Sequence, residues 1–148
     1  MENEKGIVTR ELMEAFSRLK RFHWNANSVE GLKHSEVVVL FCLKHNVAPG
    51  AQGLKVSEIS SILQVTSPSI TQLVKSLEAV GYVERSADPD DRRAVRVKLT
   101  ARGEDVVYKA KEDFHANFAR LVDYLGIEKS SQLAGLLTEV FAYLSKDK

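Results

Sequence analysis

Apolar residues recur along this chain with two different periods, and the change between them outlines its elements. Val8, Leu12, Ala15, Leu19 and Phe22 follow at steps of four, three, four and three. That spacing lines one face of a helix of about five turns. Val37, Val38, Leu40, Phe41, Cys42 and Leu43 cover most of the surface of a second helix, a pattern that predicts a central, buried position. Ser35 is its expected cap. Pro49, Gly50 and Gly53 mark residues 46–53 as a loop. Leu54-Lys55-Val56 then reads as a short strand, and Ser57 as the cap of a brief helix carrying Ile59, Ile62 and Leu63. Ser67-Pro68 opens the next helix as a cap followed by proline at the first helical position. That helix runs to about Val80 and stops at Gly81.

After Gly81 the period becomes two. Tyr82-Val83-Glu84-Arg85 forms one short strand, and Ala94 to Leu99 forms another, with Val95, Val97 and Leu99 on one face and Arg96 and Lys98 on the other. Such alternation marks a half-buried strand. Asp88-Pro89-Asp90-Asp91-Arg92-Arg93 joins the two as a charged turn, in which Pro89 suits the second position and the aspartates can accept nearby backbone N–H groups. The helical period then returns. Thr100 caps a long helix with Val107, Ala110, Phe114, Phe118, Leu121 and Leu125 on one side, ended by Gly126. A last helix, roughly residues 129–145, carries Leu133, Leu136, Leu137, Val140 and Leu144. There is no internal repeat and no low-complexity segment.

The middle of the chain therefore reads helix, short strand, helix, tight turn, helix, strand, turn, strand. That order is a winged helix-turn-helix, in which the second helix of the pair enters a major groove and the hairpin reaches a neighbouring groove. The fold expected is mainly α with a small β wing. Its winged core, residues 31–100, is flanked by an N-terminal helix, residues 1–30, and by C-terminal helices, residues 101–148. Those outer helices have apolar stripes that must bury against something. A second copy of the chain is the natural partner, and a two-fold dimer would present two reading helices to half-sites about one helical turn apart.

At this point the chain resembles the MarR-type transcriptional regulators over nearly its whole length. Asp91-Arg92-Arg93-Ala94-Val95-Arg96-Val97-Lys98-Leu99-Thr100 fits that family's wing pattern of Asp, any residue, Arg, then Val and Leu-Thr. Leu77 to Arg85 fits the end of its recognition helix and the first wing strand, and Thr100-Ala101-Arg102-Gly103 the start of its long dimerisation helix. The resemblance implies a homodimeric, DNA-binding repressor or activator, often released by a small ligand or by oxidation.

Composition changes this picture little. The 148 residues are 44% hydrophobic and carry 21 basic and 20 acidic side chains, a formal net charge of +1. No global positive field supports nucleic-acid binding, so the case rests on local placement. One cysteine, Cys42, rules out an internal disulfide and a zinc-finger cysteine set. No apolar run reaches a bilayer span, and Met1-Glu2-Asn3-Glu4-Lys5 does not open a signal peptide, so a cytoplasmic protein without membrane association is expected. No cofactor is expected. No Ser/His/Asp set, HExxH or phosphate loop is present, which disfavours an enzyme.

Site residues follow from helical geometry. With Ile70, Leu73, Val74 and Leu77 facing inward, the opposite face of the Ser67–Val80 helix presents Pro68, Gln72, Lys75 and Ala79, flanked by Thr71 and Ser76. Gln72 suits adenine's paired donor and acceptor. Lys75, Thr71, Ser69 and Ser67 suit phosphates of double-stranded DNA. Family members often carry a basic residue where Gln72 stands, so strong guanine reading is not expected there. On the wing, Arg93 can enter a narrow minor groove, with Asp91 holding its guanidinium. Arg92, Arg96 and Lys98 would then contact phosphates. The plainer alternative is a solvated, salt-bridged turn. Phe22, His23, Trp24 and His34 lie near the junction of the first two helices, where the family forms pockets for aromatic or phenolic ligands; core packing is the competing reading. His34, His45 and His115 are scattered singly, against a metal site, and Cys42 sits in an apolar helix, where thiols are usually inert. A winged-helix module that holds a protein partner, without sequence-specific DNA binding, is the alternative function.

Overall fold

The computed structural model describes residues 3–21 and 29–146. Its helices are α1 (Glu4–Arg21), α2 (His34–Asn46), α3 (Val56–Leu63), α4 (Ser67–Ala79), α5 (Ala101–Leu125) and α6 (Ile127–Ser145), with a single 3-10 turn at Val29–Gly31. Three strands, β1 (Leu54–Lys55), β2 (Val83–Ala87) and β3 (Val95–Leu99), form an antiparallel sheet in the order β1-β3-β2. The protein is mainly α, with a small β wing on a winged helix-turn-helix core.

The core gathers where α2, α3, α4, the sheet and the start of α5 meet. Val39, Leu40 and Leu43 of α2, Ile59 of α3, Ile70, Val74 and Leu77 of α4, and Val83 and Val97 of the hairpin are fully buried. Val106, Val107 and Ala110 close it from α5. Burying each such aliphatic side chain is worth about 1.5–3 kcal/mol, so α2 is central, as its all-round apolar pattern requires. Gly53 admits β3 against the loop before β1. A Cβ there would overlap the Val97 carbonyl, and its φ of +108° is open to glycine.

The starts of α2 and α3 fall two residues before the sequence expectation, for a common reason. α2 begins at His34 rather than after Ser35, because the Glu36 carboxylate accepts the Lys33 N–H at 3.0 Å. α3 begins at Val56 rather than after Ser57, because Glu58 accepts the Lys55 N–H at 3.0 Å. In both, the glutamate at the third helical position supplies the cap, and the serine lies inside the first turn. Val56 thereby leaves the strand. At α4 the cap is Thr66, whose hydroxyl accepts the Ser69 N–H at 3.4 Å, so Ser67 is the first helical residue. β2 extends to Ala87, beyond the expected Arg85, because Ser86 and Ala87 pair with Arg96 and Val95. Thr100 caps α5 as expected, accepting the Gly103 N–H at 3.1 Å while donating to the Gly81 carbonyl at 2.6 Å. α6 starts at Ile127, two residues earlier than expected.

The outer helices behave differently from the core. Val8, Leu12 and Leu19 of α1 are exposed, as are Leu133, Leu136, Leu137, Val140 and Leu144 of α6. Phe22 lies outside the described residues. α6 packs against α5, yet that contact leaves its stripe largely open, with Leu137 50% and Leu144 62% accessible.

Candidate nucleic-acid interface

Helix α4 is built from its first turn outward. Thr66 fixes the N-terminus, and Ile70, Val74 and Leu77 pin one face into the core. The turn before α4 is tight: Gln64 takes a left-handed conformation at φ 56°, and the Val65 N–H bonds the Ser60 carbonyl at 3.2 Å. What remains outward is Ser67, Ser69, Gln72, Lys75 and Ser76, all exposed, with Thr71 half-buried. Gln72 and Lys75 have no side-chain partner among the described residues. Thr71 is committed locally, its hydroxyl donating to the Ser67 carbonyl at 3.0 Å. Ser69 shares a 2.8 Å hydroxyl contact with Thr66. The two hydroxyls expected to meet phosphates are thus partly used in shaping the helix start.

The wing tip is organised by its acids. The Asp88 N–H bonds the Ala94 carbonyl at 3.1 Å, and the Ala94 N–H bonds the Asp91 carbonyl at 3.0 Å. Asp88 Oδ1 accepts the N–H groups of Asp90 and Asp91 at 2.8 and 3.2 Å. Asp91 Oδ1 accepts the backbone N–H of Arg93 at 3.0 Å. This corrects one expectation: Asp91 fixes the backbone at Arg93, not its guanidinium. Arg92 and Arg93 are exposed, and among the described residues no carboxylate pairs with either guanidinium.

Two other expected phosphate ligands are engaged elsewhere. Arg96 donates from Nε to Asp88 Oδ2 at 2.7 Å and from Nη1 to the Gly53 carbonyl at 2.9 Å, with Glu58 Oε1 at 3.9 Å. It is a brace within the wing and not a free cation. Lys98 pairs with Glu84 across the hairpin at 3.2 Å. Asp88, read from sequence as a turn residue, is the buried end of the brace, with its side chain 1% accessible and Lys55 Nζ at 3.9 Å. The Asp90 N–H holds its carboxyl below the usual aspartate range, helped by the Arg96 guanidinium and Lys55. A second tie joins α4 to β2, where Arg85 meets Glu78 through Nε at 3.0 Å and Nη2 at 2.9 Å. No sequence pattern named either tie, because each joins residues whose neighbourhood depends on the hairpin register.

Two clefts flank α4. On the wing side, Arg93, Ala94 and Val95 face Lys55, Ser57, Ser67 and Thr71 across a cleft of about 350 Å³. On the other side, Ser69, Gln72 and Ser76 share a cleft of about 500 Å³ with Val65, Lys33 and Ser35. The structure thus brings Arg93, Ser67 and Thr71 together and sets Gln72 on the neighbouring side of the same helix. His23 and Trp24 lie outside the described residues. His34 stands at the start of α2. Cys42 is buried, and burial pushes its thiol up, opposed by the Asn46 amide; buried thiols of this kind are usually inert. No helix among the described residues is long and apolar enough to cross a membrane.

Residues 32–95 match the model of the MarR family. That stretch is similar to the MarR family. The matched stretch spans α2 to the start of β3, so it holds both α4 and the wing tip. The HTH-type transcriptional regulator PrsX of Escherichia coli is 40% identical over 77 residues, which cover 49% of this chain and 42% of PrsX. The chain therefore spans less than half the length of that relative. PecS of Dickeya dadantii, another HTH-type regulator, is 25% identical over 142 residues, covering 96% of this chain and 78% of PecS. Among solved structures, Streptococcus pneumoniae FabT in complex with DNA superposes with a TM-score of 0.69 at 20% identity, covering 98% of this chain and all of that one. That likeness is one of fold, and it takes in α1, α5 and α6 as well as the matched stretch.

Proposed function

We propose that the chain is a homodimeric, sequence-specific DNA-binding transcriptional regulator of the cytoplasm, acting as a repressor at a pseudopalindromic operator. The observation that carries this reading is the pairing of free polar groups on two adjacent elements. Among the described residues, no side chain pairs with Gln72 or Lys75 on α4, or with the guanidinium of Arg92 or Arg93 on a wing tip whose backbone is tightly bonded. In this reading α4 lies in the major groove, with Gln72 on a base edge and Ser67, Ser69, Thr71 and Lys75 toward phosphates. Arg93 enters the minor groove and Arg92 follows the backbone. Residues 31–100 form the DNA-binding unit, while residues 1–30 and 101–148 supply the dimer. The exposed stripes of α1 and α6 support that division, and the FabT complex with DNA supports the partner. A small aromatic or phenolic ligand near His23, Trp24 and His34 is the release signal.

Selection of bound duplexes from a random library, repeated at several salt concentrations, tests the reading. An inverted repeat with half-sites about one helical turn apart is expected, with affinity falling steeply as salt rises. Recovery of no preferred sequence would favour the winged-helix protein-interaction module instead.

A further inference from the structure

We propose that Asp88 and Arg96 form a latch that sets where the wing tip stands relative to α3 and α4, which makes both of them positioning residues for Arg93. The proposal rests on the DNA-binding reading above and assigns to that site a control that lies behind it.

The bonds form one continuous path. Glu58 in the first turn of α3 and the Gly53 carbonyl before β1 hold Arg96, at 3.9 and 2.9 Å from Nη1. Gly53 is itself fixed by its close approach to Val97. Arg96 Nε grips Asp88 Oδ2 at 2.7 Å, and Asp88 Oδ1 takes the Asp90 and Asp91 N–H groups. Asp91 then takes the Arg93 N–H. A two-stranded ribbon on its own is marginally stable and twists freely, so strand pairing alone does not fix the direction of its tip. Here both oxygens of a buried carboxylate are used, one on the tip and one on a guanidinium anchored to the helix-turn-helix. Asp88 is buried and Arg96 is tied to the Gly53 carbonyl, whereas Arg93 is exposed.

Asp88→Asn breaks the latch at its centre. Whichever way the amide turns, its NH2 faces another donor, either Arg96 Nε or the tip N–H groups. Arg96→Lys is the companion variant, since a lysine keeps a charge beside Asp88 but cannot also reach the Gly53 carbonyl with a second arm. Two measurements are made on the full chain. The first needs no DNA: amide hydrogen exchange at Arg93 and Ala94, whose N–H groups bond Asp91 and not Asp88. Exchange there should quicken by about tenfold or more in either variant, while Ile70 and Val74 on α4 stay unchanged. The second is a double-mutant cycle on duplex affinity. Arg93→Ala should weaken binding in the parent but have an effect within about twofold in the Asp88→Asn background, because an unpositioned arginine has little left to lose.

Unchanged exchange at Arg93 and Ala94 in a folded variant would overturn the latch. So would an Arg93→Ala effect of equal size in both backgrounds. Should Asp88→Asn fail to fold, Arg96→Lys carries both measurements. If the parent binds no duplex at all, the DNA-binding reading falls, and the exchange result alone decides whether the latch holds the tip.

Discussion

Ile70, Val74 and Leu77 on α4 and Leu133, Leu137 and Val140 on α6 are spaced by the same helical rule, yet they meet opposite fates. The α4 residues are fully buried within the chain. The α6 residues are exposed, Val140 at 38% and Leu137 at 50%. Periodicity states that a helix has a face to bury and is silent about what buries it. For α4 the answer lies in α2, α3 and the hairpin. For α6 it is α5, which leaves most of the stripe exposed among the described residues, and an exposed apolar stripe of that length is what the proposed dimer would bury. The comparison separates two kinds of stability. The core should hold at any protein concentration, and the outer helices should hold by association.

Breaking the core should have the largest effect. Leu77→Ala leaves a cavity between α4 and its neighbours and should cost about 2–5 kcal/mol of unfolding free energy, read by chemical denaturation with a midpoint shift that does not depend on concentration. The matching change on the other side, Leu133→Asp with Leu137→Asp on α6, should turn a dimer into a monomer in sedimentation while the winged core keeps its helical signal. A dimer that survives it would place the interface elsewhere. Arg93→Ala comes next. It should lower duplex affinity substantially, most on sites with A·T-rich flanks under the wing, yet leave stability within about 0.5 kcal/mol, as exposed substitutions do. A large fall in melting temperature would mean that Arg93 is a structural partner like Arg96. The smallest effects divide α4 itself. Gln72→Ala should relax preference at one base pair per half-site, about 1–3 kcal/mol of discrimination. Lys75→Ala should weaken all sequences alike and reduce the salt slope by about one. An unchanged selected sequence for Gln72→Ala would leave specificity to DNA shape or to the hydroxyl residues beside it.

Acid should reach the wing before the core. The carboxyl of Asp88 is held below its ordinary value in the fold, so its contribution is complete above the unfolded-state value and is lost as the pH falls through the folded one. The acid limb of the stability curve should therefore be shallower for Asp88→Asn than for the parent, measured by thermal melts across the acidic range.

Much of the molecule is readable before any fold is known. The periods of four, three and two, with Gly81 and Gly126 as stops and Thr100 as a cap, place six helices and a hairpin in the right order because they are local properties of backbone geometry. Gln72 and Lys75 can be assigned to the outside of α4 for the same reason, since a helix with one buried face has its opposite face determined. The helix starts at His34 and Val56 were also within reach, because each glutamate three residues after a lysine is a capping signal that outranks the neighbouring serine.

Arg96 was not readable in this way. Strand alternation puts it on the polar face of β3 beside Lys98, and the sequence by itself determined that much. Whether that face meets water, a phosphate or a buried carboxylate depends on three long-range facts. β1 pairs with β3 and sets Lys55 opposite Arg96. Gly53 closes on Val97, and the wing turn folds Asp88 back beneath the hairpin. Gly53 lies 43 residues away along the chain, and nothing in the local pattern brings it near. Arg93, three residues before Arg96 and of the same type, is exposed on the tip, with no carboxylate on its guanidinium among the described residues. Local sequence decided which residues form each element and which way each side chain points from it. Only the packing of those elements decided which of two equal charges is spent inside the molecule and which is left to act outside it, because a charge finds its partner through space and not along the chain.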